Sequence, residues 1–213
     1  MKAFDLTVPP GFVRFDLPIA DDSGVRRLVA AATHGAPPQS LATIAGGLHA
    51  GLVSLFAQLE QAGCFLAYTC APHSMLGPAQ PMITFRPLGV GVSEDPMAGL
   101  LALAAEDPTS ELLDIEPAVC LRSTRITDLD LATELPRLRD EFDLVDPDGR
   151  AEGLSIHRVQ CAYTIGVPGE PDSWFQAVCV ANVPTTADSS VDPGQAVEMF
   201  DAILSTFRWC DDA

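Results

Sequence analysis

The chain has 213 residues, 47% of them hydrophobic and 19% charged, with a formal net charge of −17. That length fits one domain spanning residues 1–213, and the apolar fraction supplies a sizeable core, which excludes a disordered chain. The acidity repels nucleic acid and anionic lipid head groups, so no nucleic-acid partner is expected, while a basic protein partner is compatible with it.

Eleven arginines and the single Lys2 make up the cations, a balance typical of high-GC bacterial coding. The opening MKAFDLTVPPGFVRFDLP lacks the apolar core of a signal peptide, because Asp5, Thr7, Pro9 and Pro10 interrupt it. A cytoplasmic location is therefore expected. The six cysteines, Cys64, Cys70, Cys120, Cys161, Cys179 and Cys210, contain no CxxC pair. Zinc-ribbon and thioredoxin-like spacings are absent, and unpaired thiols in a reducing compartment are expected.

In chain order, FVRFDLP alternates Val13, Phe15 and Leu17 against Arg14 and Asp16, which predicts a half-buried strand ending at Pro18. A short helix follows from Ser23 to Thr33. Between Arg27 and Glu60 there is no Asp, Glu, Lys or Arg. Within that stretch Leu41, Ile44, Leu48, Leu52, Leu55 and Leu59 recur at steps of three and four, a helical stripe over residues 41 to 59.

Much of the remaining circumference is small, including Gly46, Gly47 and Gly51. A membrane span, a helix buried between sheet and neighbouring helix, and a homodimer seam all fit this pattern. Burial is the reading adopted, because His49, Thr43, Ser54 and Gln58 dilute the span and no cation flanks it closely. No membrane insertion is expected, and His49 is read as a hydrogen-bonded structural residue.

CFLAYTC and MITFRPL read as strands joined by a Pro/Gly-bearing loop. Asp95 followed by Pro96 marks a helix start. SELLDIEPAVCLRSTRI reads as two strand segments bent at Pro117, and residues 128 to 153 as a polar stretch with a short helix broken at Pro136. SIHRVQCAYTIGV and WFQAVCVANV form an antiparallel hairpin. His157, Val159, Cys161, Tyr163 and Ile165 share a face of the first strand, and Phe175, Ala177, Cys179, Ala181 and Val183 share a face of the second. Trp174, Val178 and Val180 make the opposite face apolar too, so both sides of the sheet are expected to be covered.

The last helix is predicted to open on Asp192 and Pro193 with Gln195 in a capping-box arrangement. It buries Val197, Phe200, Ile203, Leu204 and Phe207, and places Arg208 in its last turn. Trp209 offers a large surface to close the edge of the core. The expected fold is α+β, a largely antiparallel sheet of six or seven strands with helices on both faces.

Chemical motifs are sparse. Cys70 and His73 are the one local thiol–imidazole pair, without an evident third group. VDPDGRAE imitates a calcium loop, but Leu144 and Ser155 occupy ligand positions, so the pattern fails. His34, His49, His73 and His157 share no metal-ligand spacing. Nucleotide, dinucleotide, zinc-protease and hydrolase signatures are missing, so no metal, cofactor or catalytic residue is assigned.

The closing hairpin with MFDAILSTFRW resembles the C-terminal end of the PsbP-like family of α/β/α sandwiches, over about the last quarter of the chain. The chain is also similar to small proteins of high-GC bacteria, some of which accompany specialised secretion systems. The first resemblance implies a non-catalytic binding or adaptor role but carries over no functional residue. An exposed apolar patch at Gly47 and Gly51 or at Trp209 would support that role, so these are the candidate contacts, and a homodimer is compatible. An acyl-chain or small-molecule cavity beside the long helix is the alternative, and a cysteine enzyme using Cys70 and His73 a further one.

Overall fold

The hairpin legible in the sequence is the centre of a larger sheet. The computed structural model describes residues 3–70, 79–88, 96–115, 118–130, 155–167, 170–185 and 192–210. In order these form β1 (Phe4–Asp5), β2 (Phe12–Asp16), α1 (Ser23–Ala32), α2 (Pro38–Gln61), β3 (Leu66–Cys70) and β4 (Met82–Leu88). There follow α3 (Pro96–Glu106), β5 (Ser110–Ile115), β6 (Ala118–Asp130), β7 (Ser155–Val167), β8 (Glu170–Thr185), α4 (Pro193–Leu204) and β9 (Arg208–Trp209). Seven strands pair in the order β2-β3-β4-β8-β7-β6-β5, every pair antiparallel. β1 and β9 pair separately.

Register confirms the alternation. Cys161 lies opposite Cys179 and Val159 opposite Ala181, and all four are fully buried. This face packs on Phe200, Ile203 and Leu204 of α4 and on Phe207. On the reverse face Ala67 and Phe15 meet Val25, Leu28 and Val29 of α1 and Phe56 of α2, while Leu121 and Trp174 meet Leu100 of α3. The architecture is thus the expected α+β sheet with helices on both faces.

The two strand segments expected around Pro117 are β5 and β6, antiparallel partners with Ser110 opposite Ser123; Pro117 lies outside the described residues. Details at the last helix differ from expectation. Asp192 precedes α4 in extended backbone but makes no side-chain cap, and its carbonyl instead accepts from Gln195 N–H at 2.9 Å. Arg208 lies past the helix in β9, yet its Nη1 donates to the carbonyls of Ser205 and Phe207 at 2.8 and 2.7 Å. It therefore still serves the negative end of α4. The Asp95 cap, His73, VDPDGRAE and the helix broken at Pro136 lie outside the described residues.

Candidate interaction surface

α2 starts on Pro38 in the first helical position, where the missing N–H costs nothing. It stops at Gly63, whose φ of +82° suits glycine. Gly63 N–H bonds the Glu60 carbonyl at 2.8 Å and Cys64 N–H the Leu59 carbonyl at 2.9 Å, a Schellman stop. The helix is thus well bounded, but it is not buried as expected.

Phe56 is its one buried residue, with Ala45, Leu52 and Leu59 packing partly on the same cluster. His49 joins that face, its Nε2 at 3.2 Å from Asp22 Oδ2, which also accepts from Arg26. Of the stripe legible in the sequence only Leu52 and Leu59 pack there; Leu41, Ile44 and Leu48 are 39%, 42% and 39% exposed. The reason is that α2 is apolar around most of its circumference, whereas its neighbours, α1 and the β2–β3 end of the sheet, cover one side.

Gly47 is exposed and Gly51 half-buried on the uncovered part of α2. A Cβ on Gly46 or Gly47 would meet nothing within 4 Å, so neither glycine serves packing within the chain. Trp209 is on the opposite side of the sheet. It packs edge-on against Phe4, Phe175 and Phe207 at 6.2, 5.2 and 5.1 Å between ring centroids. The candidate contacts are not brought together, and Trp209 is half-buried against the core.

Two apolar grooves flank α2. One, of about 310 Å³, runs between Leu28, Val29 and Ala32 of α1 and Leu48 and Leu52 of α2, reaching Thr69 and Cys70. The other, of about 300 Å³, lies between the Pro18–Asp22 turn and Val53, Phe56, Ala57 and Glu60. A larger polar groove of about 630 Å³ sits elsewhere, lined by Asp107, Thr109, Ser123, Arg125 and Gln160. In it Asp107 accepts from Ser123 Oγ and Thr109 Oγ1, each at 2.6 Å, and from Thr109 N–H at 2.9 Å. Those bonds, Ser123 foremost, hold its pKa down at about 2.

A part-buried polar cluster was not found from the sequence. Asp201 of α4 accepts the Tyr163 hydroxyl at 2.8 Å and pairs with Arg122, which also reaches Glu111. Burial pushes the Tyr163 phenol up, so it stays protonated. The one available signal was register: Arg122 shares a strand face with the inward Cys120. Nearby, burial pushes Cys120 up to about 12 and Cys179 well above its ordinary value. Such thiols are inert hydrophobes. Cys70 is buried too, at 4% exposure. Among the described residues no group of His, Cys, Asp or Glu side chains is arranged to hold a metal ion.

No family model matches the chain, and no curated protein does. A crystal structure from Bacteroides thetaiotaomicron VPI-5482 aligns at 10% identity and a TM-score of 0.36, over 68% of this chain. The chain spans 39% of the length of that protein.

Proposed function

We propose that the chain is a non-catalytic protein-binding domain of the adaptor type, which docks through the uncovered side of α2. The observation that carries this reading is Leu41, Ile44 and Leu48 standing exposed at steps of three and four along one side of a 24-residue helix. Contiguous exposed apolar surface on a folded domain marks a place where another surface belongs. An amphipathic or apolar helix laid into the neighbouring grooves is the recognition mode that fits.

α2 is also long and apolar enough to cross a membrane, with mean hydropathy 1.5 and 6% of that window buried. The strand pairing favours a protein partner. β2 and β3, which flank the helices, pair directly, Asp16 opposite Leu66. A spanning α2 would oblige the segment between Asp16 and Pro38 to return the chain through the bilayer, carrying Asp21, Asp22, Arg26 and Arg27 into its apolar core.

A photo-crosslinking residue placed at Ile44 in the native host tests the reading. A discrete protein adduct is expected from Ile44 and none from the exposed control position Arg158. Equal, diffuse labelling at both positions would refute it.

A further inference from the structure

We propose that the occupant of α2 is a second copy of this chain, the face bearing Leu41, Ile44 and Leu48 packing on its own equivalent across a two-fold axis. This inference rests on the reading of α2 as a docking surface and names what docks there.

The surface is complementary to itself. Leu41, Ile44 and Leu48 form an exposed ridge along α2, and Leu48 with Leu52 is also one wall of the groove whose other wall is Leu28, Val29 and Ala32. Ridge and groove therefore lie side by side on one face. A two-fold contact needs that arrangement, since it seats the ridge of each copy in the groove of the other. Exposed Gly47, one turn along from Ile44 and with open space where a Cβ would sit, lets the second backbone come close.

Charge points the same way. Residues 1–65, which build β1, β2, α1 and α2, carry five acidic and four basic side chains, so nearly all of the −17 belongs to the rest of the chain. Residues 28–59 carry neither kind. A cationic partner would be drawn to the acidic remainder and would find no counter-charge on α2. Two copies meeting through α2 instead join at the neutral part, and repulsion beyond about 8 Å is screened at physiological salt.

Area sets the strength. A helix of 24 residues is about 36 Å long, and a strip about 10 Å wide buries on the order of 400 Å² per copy. That total falls below the roughly 1,200 Å² of a stable interface, so the α1 wall must contribute and the dimer must be concentration-dependent.

Sedimentation velocity on the purified full chain over a concentration series tests this. A monomer–dimer equilibrium is expected, with Ile44→Asp and Leu48→Asp each weakening it by about tenfold or more. Ala32→Trp, which fills the groove from α1, should weaken it likewise, so the test survives if an aspartate variant fails to fold. Leu112→Asp, at an exposed position of β5, should leave it unchanged. A monomer at every concentration, or a dimer indifferent to all three variants, overturns the proposal. A monomer in solution that nonetheless crosslinks to another protein from Ile44 overturns the second copy and leaves the docking reading standing. A monomer with no adduct overturns both.

Discussion

Asp201 on α4 holds two strands at once, accepting the Tyr163 hydroxyl of β7 at 2.8 Å with one carboxylate oxygen and pairing with Arg122 of β6 through the other. The Arg122 side chain is only 12% exposed. Asp201→Ala should therefore leave the Tyr163 phenol without its acceptor and the Arg122 guanidinium with Glu111 alone, at a cost of about 1–3 kcal/mol. Asp201→Asn keeps an acceptor for Tyr163 and should cost less. Urea titration reads both as falls in midpoint at constant slope; an alanine variant as stable as the parent would remove this clasp from the account of the fold.

Glycines on α1 and α2 should respond in opposite directions. Gly46 and Gly47 have open space where a Cβ would sit, so each change to alanine should stabilise the monomer by about 0.5–1 kcal/mol through helix propensity alone. On Gly24 a Cβ would lie 2.7 Å from the Phe15 ring, which is itself packed against Phe56. Gly24→Ala should destabilise by about 1–3 kcal/mol, as overpacking does. Thermal melts of the three variants, taken where the protein is monomeric, check the signs.

What was legible in the sequence was periodicity. Strict alternation grouped Cys161 with Tyr163 and Phe175 with Cys179 on their own strands, and the register then sets both groups on one buried face, which a one-residue slip would have reversed. α2 was legible as a helix but not as an exposed one. A helix apolar on all sides has no polar face to say which side meets water, so its coverage depends on neighbours the local pattern does not contain. The Asp201–Tyr163–Arg122 cluster joins residues up to 79 positions apart, beyond the reach of any local spacing.

Thiol chemistry separates a structural role for the inner cysteines from a catalytic one. Cys120, Cys161 and Cys179 are fully buried, and burial raises the pKa of each. In the native protein at neutral pH they should resist iodoacetamide for hours, and should react promptly once urea unfolds the chain. Above the ordinary thiol value near 9 the unfolded state deprotonates first, so stability should fall from about pH 9 towards 12. Rapid native alkylation of any of the three, located by peptide mass, would contradict the packed interior.

Asp107 gives the acid limb its own signature. Its pKa of about 2 lies below the ordinary 3.8 because Ser123 and Thr109 donate to the ionised form, tying the end of α3 to β6. A carboxylate depressed on folding contributes stability above its unfolded value and loses it as pH falls through the folded one. Asp107→Asn should accordingly melt below the parent at pH 7, and the gap should close as pH falls from about 4 to about 2. The difference between the two proteins isolates this group from the other carboxylates titrating in the same window. A gap that is constant with pH would mean that the bonds from Ser123 and Thr109 do not depend on the charge of Asp107.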